Sequence, residues 1–309
     1  MNNQNSNNFK EEIDLNELFL ALWNRKILIL LTTSIFTISS VLYSLSLPNI
    51  YTSTALLAPA TQDESLTSKI GNYSSLASIA GISLPGESSG KSSEAIERIK
   101  SYDFFNEQLL PYIKIENLIA AKKWDQGSGK IIYDDKLYNV NEAKWVRKVS
   151  FPMPLRPSNQ EAYIEYSKIL AISEDKKTKF VSISIEHVSP FLAKEWLQLI
   201  IKNINNHMRE LDKTIAKNSI NFINNTSQKT NLSEIKGALS KLLENQIQTL
   251  MLAEASSDYV FKRISSPIAP EVKSKPSRSI ICILGTLLGL IFGTLTALYL
   301  HYFNFKKHI

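Results

Sequence analysis

The sequence is poor in residues that bind metals or form disulfides, with one cysteine and four histidines among 309 residues. Cys282 lies inside an apolar run near the end of the chain, so the long region before that run can hold no disulfide and no thiolate metal cluster. The histidines are scattered, without a second histidine or a cysteine at metal-site spacing: His187, His207, His301 and His308. We therefore expect neither a metal nor a cofactor.

A catalytic arrangement is also missing. The acidic pairs at residues 134–135 and 174–175 lie in polar, turn-like stretches typical of solvated loops. Residues 86–92, Gly-Glu-Ser-Ser-Gly-Lys-Ser, are similar to a phosphate-binding loop, which needs glycines for close backbone approach and a lysine for the phosphate charge. The stretch is one residue short, however, because Pro85 takes the place of the first glycine. No nucleophile has a plausible base nearby, so we predict that the chain is not an enzyme.

A dense basic block is absent as well. The 35 lysines and arginines exceed the 29 aspartates and glutamates by a net charge of +6, and the excess is spread along the chain. A nucleic-acid surface needs cations that cluster along the phosphates. We therefore do not expect nucleic acid as a partner.

Two stretches contain no charged residue, and they bracket the chain: residues 27–47 and 280–303. Each reaches the ~20 residues that a helix needs to cross a bilayer, so each is predicted to be a transmembrane helix. A cleaved signal peptide is the alternative for the first stretch. We disfavour it because the run exceeds the ~7–15 residues of a signal core, and because Leu47-Pro48-Asn49 lacks the small residues of a cleavage site.

The charges around both spans predict their orientation. Basic residues lie on the side of both termini, at Arg25, Lys26, Lys306 and Lys307. This places both termini in the cytoplasm and the middle of the chain outside. The basic residues just before the second span oppose the rule, but long segments cross membranes largely regardless of charge. Residues 11–23 have an amphipathic pattern that suits a short interfacial helix.

Alternating apolar residues predict three strands between the spans, at residues 51–58, 180–187 and 259–264. A helix is predicted at residues 92–110, broken near Asp103. Another is predicted at residues 158–170, where Ser158 and Glu161 are spaced as a capping box.

Two stretches have no clear period. Residues 62–91 are rich in serine and glycine and are predicted to be mobile. Residues 115–151 are predicted to be irregular with one short helix. Prolines at positions 152, 154 and 157 then prevent regular strand pairing.

Helical spacing of apolar residues continues over residues 190–257. One straight helix of that length would measure ~100 Å, and the residues left before the second span are too few to return along it. We therefore predict an antiparallel helical hairpin that turns between Asn224 and Asn231 and projects from the membrane, with Asn231 and Glu234 starting its second helix. The last two predicted strands would then share one sheet.

The second span has an unusual border and an unusual face. Three prolines stiffen the approach, because each fixes φ and restricts the residue before it: Pro267, Pro270 and Pro276. Within the span, glycines recur every four residues on one helix face: Gly285, Gly289 and Gly293. Such a face permits close approach by a neighbouring helix, and we predict that it packs against the first span or a partner.

These features resemble the polysaccharide co-polymerase family, the chain-length determinants of lipopolysaccharide O-antigen. The family motif has two spaced prolines, then Ser-Pro-Lys, then paired glycines inside the span. The residues that match it are Pro267, Pro270, Pro276, Gly289 and Gly293. Lys275, Ser277 and Leu290 depart from it, and Arg278 supplies the displaced charge.

The resemblance implies an α+β membrane protein in which two transmembrane helices flank a periplasmic α/β base domain with a long protruding helical hairpin. It implies a non-enzymatic regulator, homo-oligomeric in the inner membrane, that sets the modal length of O-antigen. The implied partners are further copies of the chain, the O-antigen polymerase, nascent polysaccharide and membrane lipid. The expected segments are the tail 1–26, the first span 27–47, the base domain 48–189, the hairpin 190–257, the return strand and proline-rich segment 258–279, the second span 280–303 and the tail 304–309.

Two other functions fit the same layout. A capsule or exopolysaccharide co-factor would work with an ABC transporter or a separate tyrosine kinase. A membrane-anchored sensor would need a cytoplasmic output domain, which the tails at residues 1–26 and 304–309 are too short to provide. No fused kinase follows the second span in this sequence, so we expect the O-antigen type.

Overall fold

The computed structural model describes residues 22–60, 88–230 and 232–307. The predictions made for residues 62–87, for Asn231 and for most of residues 11–23 therefore lie outside the described residues. The chain divides into two compact units. The terminal unit comprises Met1–Pro48 and Lys275–Ile309, and the central unit is Asn49–Ser274.

The elements of the described residues are numbered along the chain. The helices are α1 (Lys26–Ser46), α2 (Ser88–Lys100), α3 (Tyr102–Phe104), α4 (Ile115–Ile119), α5 (Asn159–Ile169), α6 (Pro190–Lys229), α7 (Ser233–Ala255) and α8 (Arg278–Lys307). A π-helical turn and a 3₁₀ turn follow α3, at Phe105–Leu109 and Leu110–Tyr112. The strands are β1 (Tyr51–Pro59), β2 (Ala121–Trp124), β3 (Ile131–Tyr133), β4 (Tyr138–Asn139), β5 (Lys144–Trp145), β6 (Leu170–Glu174), β7 (Val181–His187) and β8 (Phe261–Ser265).

The terminal unit contains the two predicted spans, α1 and α8. Their apolar segments have mean hydropathies of 1.9 and 2.3, and both helices are long and apolar enough to cross a membrane. Between them in sequence lies a unit that mixes helices with a sheet and includes the long helix α6. The predicted fold class is confirmed.

The main sheet of the central unit has the order β6–β7–β1–β8, with every pair antiparallel. The predicted sharing of one sheet by the last two strands is confirmed, with β1 between them. In register, Ala55 of β1 lies opposite Ile183 of β7, and Leu57 lies opposite Val181. All four side chains are buried, because alternate residues of both strands face the core.

The core lies between the sheet and the first turns of α6, whose apolar stripe is buried there. Its largest members from α6 are Trp196, Leu197, Ile200 and Ile204. Phe105 stacks on Tyr166 of α5 with ring centroids 4.9 Å apart. The Tyr166 hydroxyl donates to the Ile99 carbonyl at 3.0 Å, so the one polar atom of this buried ring is satisfied.

The helix predicted at residues 92–110 is confirmed in its break, which lies at Ser101, close to the expected Asp103, but its predicted start is wrong. α2 starts earlier, at Ser88, and ends at Lys100. The Ser101 hydroxyl then accepts from the Phe104 amide at 3.2 Å and caps a new, irregular helical segment. A serine side chain that competes for backbone amides stops one helix and starts the next.

The prediction of irregular structure at residues 115–151 missed two hairpins, β2–β3 and β4–β5, and the helix prediction at 158–170 missed the strand β6 that follows it. These strands are too short for a period of two to stand out. The β4–β5 hairpin is held by the Tyr138 and Trp145 rings, with centroids 5.3 Å apart. Among the described strands, β6 pairs with β7 alone and lies at the edge of the sheet.

The predicted hairpin forms, but its turn lies at the end of the expected interval. α6 continues through residues 224–227, whose helix propensity is low, as far as Lys229, and α7 begins at Ser233. The Thr226 hydroxyl donates to the Phe222 carbonyl at 2.8 Å, and the Ile223 side chain is buried. Packing along the hairpin therefore outweighs local propensity.

The predicted capping box at the start of α5 is confirmed. The Ser158 hydroxyl accepts from the Glu161 amide and the Glu161 carboxylate accepts from the Ser158 amide, both at 3.2 Å. Arg147 forms a bidentate ion pair with the same carboxylate, with Nη2 2.9 Å from Oε1. The hydrogen bonds from Arg147, with those from Ser158, lower the pKa of Glu161 to about 2.

We expect Glu161→Gln to remove stability that depends on pH. A carboxyl group with a lowered pKa stabilises the fold above its unfolded pKa of about 4.3 and loses that contribution as the pH falls towards 2. The free energy of unfolding of Glu161→Gln should be about 1–2 kcal/mol lower at neutral pH, and flatter over that acid range. Denaturant unfolding of the full chain in detergent measures both quantities. Glu165→Gln, which breaks an exposed pair with Lys168 on the same helix, is the matched control.

Candidate functional site

The predicted glycine face of α8 lies against α1. An ideal Cβ at Gly289 would come 2.7 Å from the Phe36 Cβ and 3.0 Å from the Thr33 Cα. A Cβ at Gly293 would come 3.2 Å from the Ile29 Cα. Since contacts this short are sterically forbidden or strained, the two backbones are closer than any larger residue allows.

The third glycine extends the same contact. A Cβ at Gly285 would overlap the side chain of Ser40, on the α1 face that also carries Thr32 and Thr33. Hydroxylated residues on α1 thus lie opposite the glycines on α8. This α1 face was not predicted from the sequence, although its small residues recur at helical spacing there: Thr33, Thr37 and Ser40.

Polar and aromatic contacts complete the helix pair. The hydroxyls of Thr37 and Thr286 are 3.1 Å apart and hydrogen-bonded. The Phe36 and Phe292 rings stack with centroids 5.5 Å apart. At the other end, the Arg25 guanidinium donates to the Leu300 carbonyl at 3.3 Å. The two helices therefore form a specific pair along most of their length.

The proline-rich approach is fixed to the start of β1 inside the central unit. The buried Ser53 hydroxyl donates to the Ile268 carbonyl at 2.8 Å, and the Ser274 amide donates to the Ile50 carbonyl at 2.8 Å. Pro267 is buried and Pro270 is partly buried in this segment. Pro276 lies in the terminal unit, just before Arg278 at the first position of α8. The predicted motif residues are thus divided between the two units.

Lys91, the lysine of the phosphate-loop look-alike, is part of a polar cluster. Its ammonium lies 2.7 Å from Asp212 Oδ2, and the Tyr259 hydroxyl donates to the same oxygen at 2.6 Å. Burial raises the pKa of Tyr259, and the neighbouring carboxylate of Asp212 raises it further. The phenol stays protonated as a hydrogen-bond donor, so the cluster ties α2, α6 and the approach to β8 together.

His187 has a structural role. Its buried ring accepts from the Ser189 amide at Nδ1 and donates from Nε2 to the Asn117 carbonyl, each at 2.9 Å. Burial lowers its pKa, which keeps the imidazole neutral. Within residues 22–60, 88–230 and 232–307, no group of three histidine, cysteine or acidic side chains is placed to hold a metal ion.

A cleft of about 360 Å³ opens between α6 and residues 257–267. Its charged and amide residues are Gln198, Lys202, Asn205, Asn206, Arg209, Asp258 and Arg263. Cations, amides and one carboxylate line the cleft, so it offers both donors and acceptors of hydrogen bonds. No local sequence pattern indicates this cleft, because its lining comes from two segments that are far apart along the chain.

Comparison with known proteins gives three findings. Residues 11–108 match the family model described as Wzz, chain length determinant protein. A solved structure described as a full-length bacterial polysaccharide co-polymerase is 14% identical with a TM-score of 0.41, and the match covers 94% of this chain and 98% of that chain. A fragment of WzzB, a polysaccharide co-polymerase from Salmonella Typhimurium, is 15% identical with a TM-score of 0.33, covering 74% of this chain and 100% of that chain. No curated protein matches the chain in sequence.

Proposed function

The match of residues 11–108 confirms the resemblance to the chain length determinants, and from it we propose that this chain regulates polysaccharide chain length without catalytic activity of its own. The polymer is lipopolysaccharide O-antigen, made by a separate polymerase. The family match is the observation that carries this proposal. The pair of apolar helices and the long α6–α7 hairpin support it, since both suit a membrane-anchored scaffold.

The proposed location is the inner membrane. α1 and α8 cross it, both termini are cytoplasmic, and the central unit lies in the periplasm. The basic residues beside the ends of both spans support this orientation.

The active form in this proposal is a homo-oligomer. The α6–α7 hairpin exposes large apolar side chains over much of its length: Ile215, Phe222, Ile235, Ile247 and Met251. Exposed apolar residues along one element are typical of a surface that another protein covers. Further copies of the chain would cover them, and the cleft beside α6 would contact the growing polysaccharide.

The motif residues have two roles in this scheme. Gly285, Gly289 and Gly293 hold α8 against α1, and the resulting helix pair presents a fixed surface to the polymerase within the membrane. Pro267, Pro270, Pro276 and Arg278 set the path by which the central unit joins α8. The segments expected from the sequence then act as anchor, base and hairpin of one scaffold.

Deleting the gene should abolish the modal cluster of the lipopolysaccharide ladder on a gel while polymer is still made. The reason is that a length regulator limits polymerisation without performing it. Expression of the intact gene from a plasmid should restore the cluster. Loss of all surface polymer would instead indicate the capsule or exopolysaccharide role, and an unchanged ladder would contradict the proposal outright.

A further inference from the structure

The loop at residues 146–156 exposes apolar side chains at its tip. Phe151 is 99% exposed, and Met153 and Leu155 are each 57% exposed. Covering such side chains removes apolar surface from water and is therefore favourable. Three of them together on one loop indicate a surface that is covered in the working protein.

The loop holds these side chains outward because hydrogen bonds inside the loop fix its backbone. The Arg147 guanidinium donates to the Leu155 carbonyl and to the Pro154 carbonyl, both at 2.8 Å. The same guanidinium pairs with Glu161 at the start of α5, which ties the loop to the folded unit. Pro152 and Pro154 restrict the backbone between these contacts. The exposed tip is therefore preorganised for binding.

The charges beside the tip favour an anionic surface. Lys148 and Arg156 are exposed on either side of the apolar residues, and residues 146–156 contain no acidic side chain. Apolar side chains flanked by cations are characteristic of segments that lie at a lipid surface.

The size of the tip also favours lipid over protein. A stable protein interface buries ~800 Å² on each partner, whereas three side chains on a convex loop can bury only about half of that. A bilayer surface needs no complementary shape. Since the proposed spans already hold the chain at the membrane, a weak insertion acts at high effective concentration.

We propose that residues 146–156 insert Phe151, Met153 and Leu155 into the membrane surface, while Lys148 and Arg156 bind anionic lipid headgroups. This inference rests on the proposed membrane-spanning role of α1 and α8. It does not depend on which polysaccharide the protein serves.

Site-directed spin labelling tests the insertion in the full chain. Because Cys282 is the one cysteine of the sequence, Cys282→Ala provides a background in which Phe151→Cys carries a single nitroxide. The protein is placed in nanodiscs of phosphatidylglycerol and phosphatidylethanolamine. Compared with a label at an exposed control position, the label at position 151 should collide less often with an aqueous nickel chelate and more often with oxygen. Lys176→Cys, in the exposed β6–β7 turn, is the control and should stay accessible to nickel.

The headgroup contribution is tested with Lys148→Glu combined with Arg156→Glu. Each cation near an anionic surface changes the binding equilibrium about fivefold, so losing both should reduce insertion by at least roughly 25-fold, and the repelled glutamates add to this loss. Phosphatidylcholine nanodiscs should show a similar loss, whereas Lys176→Glu should show none.

A nickel accessibility at position 151 equal to that at position 176 would overturn the proposal. Shielding from both reagents that grows with protein concentration would overturn it in favour of a second copy of the chain. Neither result changes the lipopolysaccharide ladder expected from the deletion strain. Membrane insertion of this loop and regulation of chain length can therefore be refuted independently.

Discussion

Gly289→Leu is expected to separate α1 from α8 and to change the lipopolysaccharide ladder. Even the first carbon of the new side chain would overlap the Phe36 side chain and press on the Thr33 backbone. The helices must then move apart, and overpacking of this kind costs about 1–3 kcal/mol. Adding Gly293→Leu spreads the overlap along the pair. We expect the double variant to lose the modal cluster while the protein remains in the membrane.

Cross-linking measures the separation directly. Thr37 and Thr286 are hydrogen-bonded across the pair, so Thr37→Cys with Thr286→Cys in the Cys282→Ala background should form a disulfide readily. Gly289→Leu should strongly reduce its yield.

The matched control is Gly237→Leu. Gly237 lies in α7 with open space where a Cβ would be placed, so this change should leave the cross-link intact. A normal ladder from the Gly289→Leu and Gly293→Leu double variant, at normal expression, would refute the role of the glycine face.

Asn205→Ala is expected to cause a large loss of stability in the central unit. The buried Asn205 amide accepts from the Val260 and Phe261 amides at 2.8 and 2.9 Å and donates to the Phe261 carbonyl at 3.1 Å. Alanine leaves three buried backbone groups without partners, which costs about 3 kcal/mol or more. For a unit of this size that lowers the melting temperature by about 6–12 °C.

Thermal unfolding of the full chain, followed by tryptophan fluorescence, measures this loss. Asn206→Ala is a close control, because the neighbouring amide is only partly buried and contacts Arg209 at the cleft. The control should unfold within about 2 °C of the unaltered protein, because a substitution near the surface changes the free energy of unfolding by only about 0.5 kcal/mol. Equal melting temperatures for the two variants would show that Asn205 does not hold β8 in place.

Predictions from the sequence succeeded where the signal is local. The charge-free runs specify α1 and α8, and the spacing of Ser158 and Glu161 specifies the start of α5. They failed where a segment depends on a distant partner. β6 is a strand because β7 is available to pair with it, and α6 crosses the weak residues 224–227 because of packing along the hairpin.

The same division applies to the site. The local sequence is enough to predict that two apolar helices bracket the chain and that one of them carries glycines on a single face, because composition and helical period are properties of consecutive residues. The tertiary fold alone sets which α1 residues those glycines contact, since residues that meet across the pair, such as Thr37 and Thr286, are 249 positions apart. It also decided the role of Asn205, which holds a strand 56 positions away. Contacts over such separations depend on how the whole chain folds, and no local pattern encodes them.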